Sequence, residues 1–483
     1  MALHVYDHVT RTKKKFEPVQ PGRVGMYVCG MTVQDKPHVG HMFAFVACDM
    51  IRRYLEYLGY EVHHLQNFTD IDDKIITKAQ EEGVDFHVVA DRNIALYYEY
   101  AKLLGIKPAH SYPLATEHIG DIIAYIERLI DKGNAYVVDG DVYFEVRSYP
   151  EYGQLSGRHV DDMRSGVRIE VGEKKRDPLD FALWKAAQTG EPAWDSPWGP
   201  GRPGWHIECS VMATKYLGNH FDFHGGGHDL LFPHHENELA QSRCASGHAF
   251  VNYWLHNGLL FLGDKKMSKS DGNFFAIDDV TEIYPPEVIR FFLLNAHFRS
   301  QIDYSEERLQ EAATAYDRLG RGVQRLLERL ASETPPVPEG LISSQGEILA
   351  KAVREHKRRF FAAMDDDFNS GGAIGSLFGL IRDLNQYYAT TPDTVRDQAL
   401  LEDARKLLVE GDTILGLFPD GLDSAGGGPK AAIPEEVLVL VREREEARRA
   451  KDWVRADELR DQIQNRGYIL EDGPEGSQIR QNR

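Results

Sequence analysis

The chain has 483 residues, a net charge of −19, 42% apolar and 27% charged residues, which fits a soluble protein of three or four domains at ~100–200 residues each. No run of about 18 uncharged apolar residues occurs, which excludes a transmembrane helix, and the opening MALHVYDHVTRTKKKF lacks the apolar core of a secretion signal, so a cytoplasmic location is expected. The acidic balance argues against a nonspecific nucleic-acid binder. Four dispersed cysteines (Cys29, Cys48, Cys209 and Cys244) contain no CxxC pair, which excludes a zinc ribbon and fits reduced thiols better than disulfides.

Residues 24–29 (VGMYVC) are apolar and β-prone, and Gly30, Pro37 and Gly40 then punctuate a turn. Apolar residues at helical spacing over 42–58 predict a helix that stops near Gly59. Residues 61–68 alternate like a strand and 71–79 return to helical spacing. This β–α alternation predicts an α/β fold, a Rossmann-like parallel nucleotide-binding sheet whose first half is residues 1–115. Residues 116–200 differ: 135–145 reads as a hairpin around Asp139–Gly140, and a Gly-, Pro- and Trp-rich stretch follows. They are expected to form a connective insertion. The sheet pattern resumes over 201–305, with a strand at 221–224, a turn at Gly225–Gly227 and a helix from about Pro233. Residues 306–420 carry apolar residues at spacings of three and four over 305–330 and 348–388, interrupted by TPPVPEG at 334–340, and predict an α-helical bundle. DGLDSAGGGPK at 420–430 reads as a flexible linker. A small C-terminal module is expected over 434–483, and Cys48 and Cys244 fall on predicted helices as structural thiols.

Two motifs carry chemistry. In Pro37-His38-Val39-Gly40-His41, after a strand and at a helix start, the imidazoles are three residues apart and share a face. Gly40 lets a ligand approach the backbone, and the helix N-terminus suits a triphosphate. Two histidine donors there can neutralise charge developing on an α-phosphate, although an isolated HxGH also fits a pair of turn histidines. In Lys266-Met267-Ser268-Lys269-Ser270 two lysines three apart, on a polar loop, can close on a triphosphate; a short basic loop alone is usually a solvated surface. Neither GxGxxG nor GxxxxGK[ST] occurs, which argues against dinucleotide-binding and P-loop readings.

A third constellation is a candidate metal site: Cys29 at a strand end, Cys209 in GWHIECS, and His234 with Glu238 in FPHHENE. With Pro233 at the first helical position, His234 and Glu238 stand at i and i+4 on one face. Two thiolates, an imidazole and a carboxylate are plausible zinc ligands. Two buried cysteines beside ordinary helix polars fit the same residues. His235-Glu236 hints at HExxH, but Leu239 stands where the second histidine is needed, so a zinc protease is unsupported.

HVGH and KMSKS together resemble the paired motifs of class I aminoacyl-tRNA synthetases, with Val39 in place of the usual isoleucine. The strings YVCGMTVQDKPHVGH, NFTDIDDKI, GRPGWHIECS, HGGGHDLLFPHHENE, KMSKSDGNFF and MDDDFN resemble the cysteinyl-tRNA synthetases in order and spacing, over essentially the whole chain. The resemblance implies cysteine activation by ATP, with Mg²⁺, and transfer to the 3′ end of tRNA(Cys) by a monomer free of membranes. It implies catalytic roles for His38, His41, Lys266 and Lys269, and nucleotide contacts from Thr32, Gly40 and Ser268 as well. It implies one Zn²⁺ on Cys29, Cys209, His234 and Glu238 that takes the substrate thiolate. Zinc accepts a thiolate readily, whereas a serine hydroxyl keeps its proton, so the two near-isosteres separate at binding. Substrate contacts are expected from Thr69, Trp205, His224 and Asp229; a core aromatic fits Trp205 equally, and Asp70 lies beside Thr69 at a sheet end where ligands bind. The segment after Pro434 resembles an anticodon-recognition module. Arg442, Arg444, Arg448, Arg449, Lys451, Arg455 and Arg460 are interspersed there with acids, as on a solvated helix, and Trp453 and Tyr468 could stack on bases. Two other readings are a ligase passing cysteine to a small amine acceptor, and a non-catalytic tRNA-binding paralogue.

Overall fold

A computed structural model describes residues 2–160, 174–262, 265–266, 276–332, 342–391, 397–422, 435–449, 452–466, 468–473 and 476–481. The chain divides into two compact units, Met1–Ala425 and Gly426–Arg483.

The first unit opens on a hairpin of β1 (His4–Asp7) and β2 (Thr12–Lys15). Strand β3 (Arg23–Val28) leads through helix α1 (Val39–Tyr57) to β4 (Glu61–Gln66), and α2 (Asp73–Glu82) and α3 (Phe86–Leu103) follow. Helix α4 (Ile119–Asp131) precedes an antiparallel sheet of β5 (Ala135–Val138), β6 (Asp141–Phe144), β7 (Phe181–Ala186) and β8 (Gly201–Pro203), in that spatial order. Helix α5 (Ile207–Leu217), β9 (Phe221–Gly227), α6 (Glu236–Ser246) and β10 (Val251–Asn257) complete the central sheet. Short strands β11 (Leu260–Leu262), β12 (Lys265–Lys266) and β13 (Ile302–Asp303) form a side sheet around α7 (Ile277–Thr281) and α8 (Pro286–Leu294). Helices α9 (Glu306–Ala331), α10 (Ser344–Met364), α11 (Ser370–Thr390) and α12 (Gln398–Leu415) form the bundle.

The central sheet is parallel, in the order β10-β9-β3-β4. The chain steps outward from β3 to β4 on one side and from β9 to β10 on the other, so the winding reverses between β3 and β9. In open α/β sheets that switch point, outside the carboxyl ends of the strands, is where ligands bind. Cys29, just past β3, donates its N–H to the Gly225 carbonyl of β9 at 2.9 Å and so lies at that point.

Helix α1 is apolar on most of its surface because it is enclosed, packing on the sheet, on α8 and on α12. Its buried Asp49 receives the Arg290 guanidinium of α8 at 2.6 Å; Arg290 also donates to the carbonyls of Leu415 at 2.8 Å and Leu104 at 2.9 Å. One apolar core therefore runs from the sheet into the bundle. A second core lies under the β5–β8 sheet, and a third surrounds Tyr27, Cys29, Cys209, Met212 and Trp254.

Two local expectations change. Gly225–Gly227 is the end of β9 and pairs with Leu255–Asn257 rather than turning. A Cβ on Gly225 would stand 3.1 Å from Cys48 Sγ, and one on Gly226 3.0 Å from the His235 ring; these glycines allow close packing. The helical run that continues as α6 does begin at Pro233, just after the extended Phe232 (φ −143°, ψ 132°). The apolar run over 348–388 is two helices, parted where Asp367 and Phe368 take positive φ (58° and 57°). Asp367 is held there by Arg299 at 2.8 Å and the Tyr6 N–H at 3.0 Å, so tertiary contacts override the helical pattern. Residues 334–340, 423–430, Lys451, and the side chains of Arg449 and Tyr468 lie outside what the structure describes.

In the second unit α13 (Glu435–Arg449) pairs with α14 (Trp453–Asn465), and β14 (Tyr468–Gly473) pairs with β15 (Gly476–Gln481). Val437, Val441 and Ile463 form its small core. Asp452 caps α14 by accepting from the Arg455 N–H at 3.1 Å. Trp453, in the first turn, is 59% exposed, while Arg444 is buried.

Candidate metal centre and nucleotide site

Cys29, Cys209, His234 and Glu238 converge from four segments into one buried cluster, each with one donor atom within 4.8 Å of the others. The two Sγ atoms are 3.7 Å apart. Cys29 Sγ is 3.5 Å from His234 Nε2 and 3.5 Å from Glu238 Oε1, and His234 Nε2 is 3.0 Å from that oxygen. A tetrahedral ion with Zn–S near 2.3 Å and Zn–N or Zn–O near 2.0–2.1 Å sets its ligands about 3.3–3.8 Å apart. The three sulfur spacings fall on those edges, and the His234–Glu238 contact, a hydrogen bond at 3.0 Å, is a few tenths of an ångström shorter.

The supporting contacts fit as well. The other nitrogen of His234, Nδ1, lies 2.8 Å from His206 Nδ1, and the other oxygen of Glu238, Oε2, lies 2.9 Å from His224 Nε2. Metal-ligating side chains are commonly oriented in this way through their far atoms. Burial pushes the Cys29 thiol well above its ordinary range, whereas the hydrogen bond from Cys29 pulls Cys209 down to about 6. Burial opposes charge on His234, but Glu238 and Cys209 outweigh it and lift the imidazole to about 10. Burial likewise opposes the Glu238 carboxylate, and His224 and His234 overcome it. The set thus holds protons that an ion must displace, so its metal affinity rises with pH.

Around the cluster, the Trp205 ring is centred 4.5 Å from that of His234 and 38% of the residue is exposed, which places it at the rim. His224 is buried against Glu238 and stacks on Trp254 at 4.7 Å. Thr69 is buried and donates to Glu208 Oε2 at 3.1 Å. Asp70 accepts from the Thr116 hydroxyl at 2.5 Å. Asp229 lies in an exposed turn after β9 and is not brought into the buried cluster.

The other site residues gather at the start of α1. His38 is its N-cap: His38 Nδ1 accepts from the His41 N–H at 3.2 Å and His41 Nδ1 from the His38 N–H at 3.4 Å. The rings stack at 3.6 Å. Both neutral imidazoles therefore carry their proton on Nε2, as hydrogen-bond donors. Val39 is fully buried, and a Cβ on Gly40 would stand 3.0 Å from the His38 ring. Thr32 bridges Thr69 between the loops that follow β3 and β4, and a Cβ on Gly30 would lie 1.6 Å from the Asn67 carbonyl. Only glycine lets those loops touch.

Lys266 ends β12, opposite Phe261, and Ala276 bridges His38. Ser268, Lys269 and the Lys266 side chain lie outside the described residues. Lys36, just before the histidine pair, reaches Asp278 of α7 at 2.9 Å.

Sequence reasoning missed His235, His256 and Glu208, which are buried near the donors, and the half-buried His206. His206 and Glu208 sit inside the quoted GWHIECS string, which is the one signal that could have found them.

Residues 15–314 match the family model for the class I (C) tRNA synthetase catalytic domain, 359–419 the DALR domain model, and 430–480 the model for the cysteinyl-tRNA ligase anticodon binding domain. A cysteine–tRNA ligase of Pelotomaculum thermopropionicum is 48% identical over 483 residues, 98% of this chain and 99% of that one. One of Alkalilimnicola ehrlichii is 50% identical over 478 residues, 98% and 99% of the two chains. Among solved structures, Mycobacterium tuberculosis methionyl-tRNA synthetase bound by methionyl-adenylate aligns with a TM-score of 0.65 at 16% identity, over 84% of this chain and 95% of that one. The LeuRS–tRNA–LeuAMS ternary complex of Agrobacterium radiobacter K84 aligns at 0.62 and 11% identity, over 86% of each chain. At such identities the structures speak for the fold alone.

Proposed function

We propose, for a chain that belongs to the cysteinyl-tRNA synthetases and is a class I cysteine–tRNA ligase, that Cys29, Cys209, His234 and Glu238 hold zinc and that the histidine pair of α1 with Lys266 and Lys269 activates ATP. The observation that carries the metal reading is the convergence of four buried donors whose sulfur spacings fit the edges of one tetrahedral zinc site. When bound, the ion supplies a borderline-soft Lewis acid that takes a cysteine thiolate and leaves a serine hydroxyl.

The chain's own residues do the rest. Trp205 at the rim and His224 beside Glu238 wall the side-chain pocket, and Thr69 borders it through Glu208. The cysteine carboxylate attacks the α-phosphate of Mg²⁺-ATP, and pyrophosphate leaves. The Nε2–H groups of His38 and His41, fixed by their reciprocal caps, are placed to stabilise the developing phosphate charge. Thr32, Gly40 and Ser268 complete the nucleotide contacts, Lys266 and Lys269 close on the phosphates, and Asp229 contacts substrate from its turn. The tRNA 3′ hydroxyl then attacks the carbonyl carbon of the cysteinyl-adenylate, the anhydride bond breaks and AMP leaves. In the C-terminal unit, Trp453 and Tyr468 stack on anticodon bases. The enzyme works as a cytoplasmic monomer.

Metal content and ATP–pyrophosphate exchange on one sample test this. Cys209→Ser should lose zinc, raise KM for cysteine and narrow the preference for cysteine over serine; full zinc with unchanged preference would sink the assignment. Lys269→Ala should depress exchange far more than cysteine binding.

A further inference from the structure

Beside the four zinc donors stands a second buried set that shares two of them: Cys29 and Glu238 with His224 and His235, again each within 4.8 Å of the others. Glu238 offers one oxygen to each set. Oε1 faces Cys29 and His234 at 3.5 and 3.0 Å, while Oε2 faces His224 Nε2 at 2.9 Å. His235 Nε2 lies 4.0 Å from Oε1, is buried, and has no hydrogen-bond partner among the described residues.

The protonation of that nitrogen can be followed from a fixed point. Arg299 cannot give up a proton, so its Nη1–H donates to His8 Nε2 at 3.1 Å. His8 Nε2 must then also accept from His256 Nδ1–H, at 3.2 Å. That leaves a lone pair on His256 Nε2, which accepts from His235 Nδ1–H at 2.7 Å. His235 Nε2 is thereby an unprotonated lone pair beside the Glu238 carboxylate and the Cys29 sulfur, with no hydrogen-bond donor on it among the described residues. A buried acceptor in that state costs free energy unless something electron-poor meets it. A ligating imidazole held through its far N–H is the usual arrangement at metal sites.

We infer that Cys29, His224, His235 and Glu238 form a second, weaker position for a borderline-soft divalent ion such as Zn²⁺, Co²⁺ or Cd²⁺, bridged to the first through the Cys29 thiolate and the two oxygens of Glu238. The inference rests on the zinc reading of the first set. An N₂SO donor group selects such ions over Mg²⁺ or Ca²⁺. Carboxylate-bridged pairs stand about 3.5–4 Å apart, which two adjoining donor sets can hold. The second position is weaker for two reasons: its donors are spread wider than a closed tetrahedron, and an ion there is repelled by the first. An ion there also takes up Cys29 and Glu238 valence beside the substrate pocket, so it opposes cysteine.

The test is a Cd²⁺ titration of the metal-depleted full chain by equilibrium dialysis, with metal counted by mass spectrometry. Wild type should fill one tight and then one weaker equivalent. His235→Gln should keep the tight equivalent and weaken the second by about tenfold or more. Cys209→Ser should lose the tight equivalent and retain the other. Excess free Zn²⁺ should raise KM for cysteine in wild type, and its effect should vanish in His235→Gln. Saturation of wild type at one equivalent, or a second equivalent indifferent to His235→Gln, overturns the inference and leaves the first site standing. Absence of any tight equivalent overturns the first site instead.

Discussion

His206 is not one of the four proposed zinc donors, yet its Nδ1 lies 2.8 Å from His234 Nδ1, which leaves His234 Nε2 to face the cluster. His206→Ala should weaken zinc binding about 10–100-fold, the usual scale for a lost supporting partner. Zinc-chelator competition would measure it, and an unchanged affinity would show His206 to be only packing. The residues that sequence reasoning found are those whose chemistry is local. HVGH is readable because both histidines sit on one helical turn, and His234 and Glu238 because they are four apart. The imidazole chain of His235, His256 and His8 was not readable: its members are scattered over most of the catalytic domain, and only folding sets them 2.7–3.2 Å apart. His235 drew attention only as part of a rejected HExxH, and its role lies in a different set of neighbours.

At the scale of elements, the joint between α1 and the bundle rests on the buried Asp49–Arg290 pair. Arg290→Met leaves Asp49 with Arg53 as its remaining cation and takes a donor from the Leu104 and Leu415 carbonyls, so it should cost about 3 kcal/mol of stability by urea unfolding, the lower end for a broken buried pair. Burial opposes charge on Asp49, but Arg290, Arg53 and the Lys107 N–H hold its carboxyl below the ordinary value. The sign follows. A depressed folded pKa gives stability that is present above the unfolded value near ~3.9 and is lost as pH falls through the folded value. The stability gap between wild type and Asp49→Asn should therefore be flat near neutrality and shrink with acidification; a gap constant down to the acid transition would contradict it. Of the elements themselves, the alternation of apolar strands and helices made the parallel sheet legible. Gly225–Gly227 misled because glycine signals both turns and close packing, and the strand at β9 needs the second. The break after Met364 was invisible because Asp367 is held at positive φ by Arg299, on a distant segment.

For the whole molecule, the net charge of −19 means that tRNA must be recognised locally rather than by bulk attraction. Among the described side chains of the C-terminal unit, Trp453 is an exposed large aromatic, the one proposed above to meet a base, and buried Arg444 is removed from the surface count. Base stacking on an aromatic ring is worth about 1–3 kcal/mol, so Trp453→Ala should raise KM for tRNA roughly tenfold or more. The loss should be far larger in aminoacylation than in ATP–pyrophosphate exchange; equal losses would place the residue's role in folding. The four proposed zinc donors lie far apart along the chain, with Cys29 and Glu238 separated by 209 residues. At synthesis rates of ~5–20 residues per second, Cys29 leaves the ribosome about 10–40 s before its last partner exists. Through that interval its thiol is neither buried nor metal-bound. The enzyme that supplies cysteine for translation thus carries, in each nascent copy, a cysteine open to oxidation until its own synthesis is half complete.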